Sequence, residues 1–204
     1  MDKRPLFQLV SAISAAAEYR DPYTSMHQSH VSNLARCIAQ ELGLPNEVIE
    51  CVRIASILHD VGKLGVPLSL LTKVGKLRDE EFALIKLHPV IGYDILKGVD
   101  FDYPVALAVR QHHERLNGSG YPDGLTSDDI LIEAKIIAVA DVVESMQGSR
   151  PYRKALGMNA ALEEIAHNKG TLYAADIVEA CINLCAKMDD DVFISKMKAL
   201  NEHC

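Results

Sequence analysis

The chain carries Leu58-His59-Asp60-Val61-Gly62-Lys63, a histidine beside an aspartate at the end of the apolar run Val52-Arg53-Ile54-Ala55-Ser56-Ile57-Leu58. Neighbours on a helix point about 100° apart, so both side chains can grip one cation, or two adjacent ones, only where the helix frays. Gly62 stands where it would break that helix. Lys63 lies one turn on and can face an anion held there. Taken alone, a His-Asp pair is equally an ordinary polar helix end. Its company changes the reading: His27, His88, His112, His113 and Asp141 each lie in or beside an apolar helix-like run. Together these side chains are the imidazole and carboxylate donors of a two-metal site. Two cations about 3.5–4 Å apart can share a water, lower its pKa and neutralise phosphoryl oxygens, which is what phosphodiester hydrolysis needs.

The elements that must position these residues are helical. Leu6, Leu9, Val10, Ile13 and Ala17 recur at helical spacing and predict a first helix, suited to a connector or a dimerisation surface. Asp21-Pro22 predicts a capped restart, and Val31, Leu34, Ala35, Ile38, Ala39 and Leu42 form the apolar face of the next helix, stopped by Gly43. His27 falls one turn before Val31 on that face, as a ligand or a satisfied core residue; His30 reads as a supporting or surface residue. Asn46 is the expected cap of the helix that delivers His59 and Asp60. After a short apolar turn at Leu68 to Leu71, three acids open a helix from Asp79 to Leu87. Pro89 opens another through Leu96, leaving His88 at the junction. Val105, Leu107, Ala108 and Val109 predict a helix ending in Gln111-His112-His113-Glu114, and two adjacent histidines there are costly to bury without partners.

Arg115 to Gly124 is the most irregular stretch: three glycines, a proline and an Asn-Gly step exclude helix and strand. So long a loop inside a helical domain is usually functional, though a surface connection would also fit. Asp141 sits inside Ile137-Ala138-Val139-Ala140-Asp141-Val142-Val143, where it needs a metal or a basic partner. Gly148 to Lys154 then supplies three cations and no acid, as a phosphate clamp or a solvated basic turn. Helices follow at Asn159 to Asn168, Ala174 to Lys187 and Val192 to Leu200.

Composition bounds the rest. With 204 residues and 49% hydrophobic content the chain is globular, and four Phe and no Trp disfavour an all-β sandwich. A net charge of −7 argues against nonspecific nucleic-acid binding but not against a small phosphorylated substrate. Neither a membrane span nor a signal peptide is visible, so the expected place is the cytoplasm. Cys37, Cys51, Cys181, Cys185 and Cys204 lack metal-binding spacing and read as reduced core thiols.

The order of these residues resembles a known family. His27, then His59-Asp60, then Asp141 is similar to the H…HD…D framework of the HD phosphohydrolase superfamily. His59-Asp60-Val61-Gly62-Lys63, His88-Pro89, His112-His113-Glu114, Gly120-Tyr121-Pro122 and Arg150-Pro151-Tyr152-Arg153 together resemble an HD-GYP domain over roughly Arg20 to Ala186. The resemblance implies an all-α fold: a single HD-type helical bundle over residues 21–204, with a two-metal site in its core and residues 1–20 as the connector. It implies hydrolysis of a cyclic dinucleotide, cyclic di-GMP or 3′,3′-cyclic GMP-AMP, to the linear dinucleotide and optionally to mononucleotides. His27, His59, Asp60 and Asp141 would hold one metal and His88, His112 and His113 a second, with Asp60 bridging. Lys63, Arg150 and Arg153 would contact phosphate, and Tyr121 and Pro122 would shape the loop beside the site. The donors suit iron or manganese.

Departures bear on substrate and rate. Tyr23 stands where some relatives carry a glutamate that helps recruit a third metal, which favours two here. Asn117, Glu144 and Ser149 stand where aspartates are usual. Rival readings are a module that binds a cyclic dinucleotide or a protein without cleaving it, and another HD nucleotide phosphohydrolase. A homodimer, an upstream sensor domain or a GGDEF-type diguanylate cyclase could be partners.

Overall fold

A computed structural model describes residues 4–18, 27–147 and 156–187. Among them are ten α-helices and no strand ladder. In chain order they are α1 (Arg4–Glu18), α2 (His27–Glu41), α3 (Asn46–Leu58), α4 (Leu68–Leu71), α5 (Asp79–Ile85), α6 (His88–Leu96), α7 (Val105–Gln111), α8 (Ile132–Gln147), α9 (Met158–His167) and α10 (Ala175–Ala186). A 3-10 turn, Val61–Gly65, follows α3, and a shorter one, Ser127–Asp129, precedes α8.

Apolar periodicity accounts for the packing. The α2 face anticipated above is buried through Val31, Leu34, Ala35, Ile38 and Ala39. It lies on α3, which buries Ile49, Cys51, Val52, Ile54, Ala55 and Leu58 and also packs on α7 and α8. In α8, Ile136, Ile137, Val139, Ala140 and Val143 are completely enclosed. Each fully buried aliphatic chain contributes on the order of 1.5–3 kcal/mol, so α2, α3 and α8, which carry four of the candidate site residues or their neighbours, are firmly anchored. α1 packs on α3 and on the 3-10 turn, with Val10 in the same core. Cys37, Cys51, Cys181 and Cys185 form no disulfide, and burial pushes Cys51 up to about 12. No helix among the described residues is long and apolar enough to cross a membrane.

Two local expectations are corrected. Asn46 does not cap α3: the cap position is Pro45, and no side-chain cap bond forms there. Gly62 does not break α3, which ends at Leu58 with His59 in helical conformation as its C-cap. Gly62 lies inside the 3-10 turn, and its role is close approach: a Cβ on it would stand 1.9 Å from the His88 carbonyl oxygen and 2.5 Å from the Gly92 nitrogen. Gly43, in contrast, ends α2 with a φ of 67°, as a helix stop does. The Asp21-Pro22 restart, Tyr23, Gly148 to Lys154 with Arg150 and Arg153, Val192 to Leu200 and Cys204 lie outside the described residues.

Candidate metal centre

Helix ends build the site. His27 opens α2, His59 is the C-cap of α3, His88 opens α6, and His112 is the C-cap of α7. Asp60 and His113 follow the two C-caps, and Asp141 projects from the middle of α8. At a frayed end the regular 100° step is lost, so His59 and Asp60, and likewise His112 and His113, turn inward together. The ring centroids of His112 and His113 lie 4.1 Å apart.

One device orients three of the rings. His59 Nδ1 donates to the Ser56 carbonyl at 2.7 Å, His88 Nδ1 to Ile85 at 2.8 Å, and His112 Nδ1 to Val109 at 2.6 Å. Each acceptor is three residues back, in the last turn of a helix, where carbonyls lack an intrahelical partner. The bond fixes the tautomer and leaves each Nε2 as a lone pair aimed into the core. The ring nitrogens of His88 and His112 face each other across 3.3 Å, and His59 Nε2 is buried without a hydrogen bond. Facing lone pairs repel unless a cation lies between them. Burial holds His88 down to about 4 and, with the neighbouring imidazoles, pushes His112 and His113 well below the usual histidine range. A proton is therefore not the cation at neutral pH; a divalent metal fits.

The carboxylates divide between the halves. Asp60 Oδ1 lies 3.5 Å from His88 Nε2, while Oδ2 lies 3.4 Å from His59 Nε2 and 4.0 Å from His27 Nε2. Asp141 Oδ1 is 3.2 Å from His27 Nε2 and 4.0 Å from His59 Nε2. Ligand atoms of His27, His59 and Asp141 lie within 4.8 Å of one another, as do those of His88, His112 and His113, and those of His59, Asp60 and His112. Burial would raise Asp60, but Lys63 and the surrounding histidines outweigh it and hold the carboxylate well below its usual range. Asp141 is lowered likewise, against burial, by its bond to His27 and by nearby histidines. His27 shows the converse: burial lowers it, but the hydrogen bonds to Asp141 and Glu144 raise it to about 9.

All seven expected donors thus meet at one place. Lys63 points its Nζ at Asp60 Oδ2, 2.6 Å away, so it borders the donor cluster. Tyr121 stacks on His113 with centroids 4.7 Å apart, and the Tyr121-Pro122 peptide is cis.

Two residues named in the sequence have roles that the sequence reading did not assign. Glu144 accepts a hydrogen bond from His27 Nδ1 and lies 3.4 Å from His30 Nδ1, so one carboxylate aligns a donor ring from behind. Its place one helical turn after Asp141 was the available signal. Glu114 is buried and receives the backbone amides of Asp123 at 2.7 Å and Leu125 at 3.0 Å. Nothing in its own neighbourhood of sequence announces that contact.

A profile of the family described as "HD domain" matches residues 11–177. The "Cyclic di-GMP phosphodiesterase response regulator RpfG" of Xanthomonas campestris pv. campestris is 40% identical over 184 residues, 89% of this chain and 49% of that protein. The "3'3'-cGAMP-specific phosphodiesterase 3" of Vibrio cholerae is 32% identical over 201 residues, 98% of this chain and 40% of that protein. The chain spans about half the length, or less, of these relatives. Among solved structures, "Bd1817, a HDG"Y"P protein from Bdellovibrio bacteriovorus" shares the fold, with a TM-score of 0.66 and 23% identity over 78% of this chain and 51% of that one. Helical architecture and the profile that matches most of the chain agree: this chain belongs to the HD domain family.

Proposed function

We propose that this chain is a metal-dependent phosphodiesterase that hydrolyses a cyclic dinucleotide, cyclic di-GMP or 3′,3′-cyclic GMP-AMP, to its linear form. The observation that carries it is the convergence of seven donors, two triads with Asp60 facing a histidine of each, with imidazole nitrogens held as lone pairs. The activities named for the two relatives support the substrate class.

His27, His59, Asp60 and Asp141 would hold one cation and His88, His112 and His113 the other, with Asp60 spanning both; iron or manganese suits the donors. Bound there, the pair supplies Lewis acidity and water made nucleophilic at neutral pH. The reaction adds water across one phosphodiester, breaking the bond from phosphorus to the 3′ oxygen. Asp60, kept ionised, offers one oxygen to each half. Lys63, already at the rim on Asp60, is placed to stabilise negative charge on the scissile phosphate. Arg150 and Arg153 complete the phosphate contacts in this reading. Residues 1–20 serve as a connector and dimer surface, with a sensor or a GGDEF-type cyclase as the protein partner.

The test is to incubate the protein with each cyclic dinucleotide under iron(II) or manganese(II) without oxygen and to follow products by chromatography. A metal-dependent linear dinucleotide is expected, and the ratio of the two rates ranks the substrates. Two bound metals with no product from either nucleotide would overturn the reading in favour of a binding module.

A further inference from the structure

His113 is oriented differently from every other histidine of the cluster. His59, His88 and His112 are each braced by a carbonyl, and His27 by Glu144. Among the described residues no hydrogen bond reaches the His113 ring. What lies on it is Tyr121, nearly parallel at 27° with centroids 4.7 Å apart, and the Tyr121 amide donates to the His113 carbonyl at 3.3 Å. On another side, Lys86 Nζ stands 5.2 Å from the Tyr121 ring centroid.

The loop bearing Tyr121 is itself clamped. Both carboxylate oxygens of Glu114 are taken by loop amides, Oε1 by Asp123 and Oε2 by Leu125. Gly120 presses on the same residue so closely that a Cβ would stand 2.4 Å from Glu114 Cα and 2.5 Å from the Arg115 nitrogen. Arg110 adds two bonds of 2.7 Å to Asp123, and Asn117 bridges to Thr126 at the loop's base. A buried carboxylate that serves two amides is costly to disturb, because both amides are left unpaired.

We infer that the Gly-Tyr-Pro loop is the brace of the second metal half-site: Glu114 fixes the loop, the loop holds Tyr121, and the Tyr121 ring takes the place of the missing hydrogen bond in orienting His113. Glu114 and Tyr121 are positioning residues in this scheme. The inference rests on the reading of His113 as a metal donor. It makes the phenol ring, and not its hydroxyl, the part of Tyr121 that matters.

The experiment titrates the metal-free protein with manganese(II) against a chromophoric chelator, and with cobalt(II) while the visible spectrum is recorded. Wild-type protein, Tyr121→Ala, Tyr121→Phe and Glu114→Gln are compared, with thermal unfolding of each metal-free form. For Tyr121→Ala and Glu114→Gln, one of two affinities should fall about 10–100-fold, the usual cost of losing an orienting partner, while the other holds. Tyr121→Phe should restore both affinities and the cobalt spectrum. Amide exchange at Asp123 and Leu125 should quicken in Glu114→Gln and stay slow in Tyr121→Phe. Unchanged metal affinities in Tyr121→Ala, or a Phe variant as impaired as the Ala variant, would overturn the inference. Equal weakening of both sites, matched by a fall in unfolding temperature, would reduce Tyr121 to a folding role and overturn it too. A wild-type protein that binds no second metal would instead sink the two-metal reading beneath it.

Discussion

Gly62→Ala is the substitution whose cost the structure states most directly. The added methyl would meet the His88 carbonyl oxygen at 1.9 Å, the Gly92 nitrogen at 2.5 Å and the His88 carbonyl carbon at 2.8 Å. All three are backbone atoms of the first turn of α6, so no side chain can swing aside. The 3-10 turn and α6 would have to part by about 1 Å, and overpacking of this kind costs about 1–3 kcal/mol or more. Losing glycine's freedom in the unfolded chain returns only about 0.4–1 kcal/mol. A net loss of about 1–2 kcal/mol lowers the unfolding temperature by about 2–8 °C in a chain of this size. The same parting separates His88 from Asp60, now 3.5 Å apart, so the two halves of the cluster lose register. A misplacement of about 1 Å can cost 100-fold in rate. Gly98→Ala is the control: it too adds a methyl near α6, but no atom lies within 4 Å of it, and stability should hold or rise slightly. Calorimetry of the metal-free proteins reads the first effect and turnover of the metal-loaded ones the second. A Gly62→Ala protein as stable as wild type would refute the close approach as the reason for glycine here.

Asp60→Ala removes the carboxylate that faces both halves and the ion pair it makes with Lys63; neither metal should bind above trace levels and hydrolysis should vanish, which metal analysis and product chromatography would read. In the metal-free protein His27 holds its proton up to about 9 between Asp141 and Glu144, against an ordinary 6.5. Its folded pKa is raised, so the stability that this proton contributes is complete below about 6.5 and disappears as pH climbs through 9, and denaturation of the metal-free protein across that window should show the loss. Metal must displace the same proton, so affinity should climb about tenfold per pH unit over the window, and a flat profile would show that metal displaces no proton from His27 there.

The helices were legible because their apolar faces repeat at helical spacing; α2, α3 and α8 bury the side chains that spacing selected. The donors were legible because polar residues inside apolar runs need partners. Asp141 and the pair His112-His113 stood out on that ground before any contact was known. Gly62 was misread for a physical reason: a glycine after a helix marks both a helix stop and a close approach, and only the position of α6, brought back from 26 residues downstream, distinguishes them. Asn46 failed similarly, since Pro45 already starts α3 and no side-chain cap bond forms.

The supporting shell was hidden more deeply, because its partners meet only after folding. Glu144 braces a histidine 117 residues earlier, and its place one helical turn after Asp141 was the one local mark it carried. Glu114 beside the paired histidines looks like another donor, yet both its oxygens are spent on loop amides, so it cannot also face a metal without releasing the loop. Adjacent positions therefore diverge in role for a geometric reason. His112 and His113 turn inward at the end of α7, whereas Glu114, one residue on, points to the loop that doubles back over them. The irregular stretch from Arg115 to Gly124 is consequently ordered by the very residues whose site it covers, and a change at Glu114 should be felt at His113 without altering any donor.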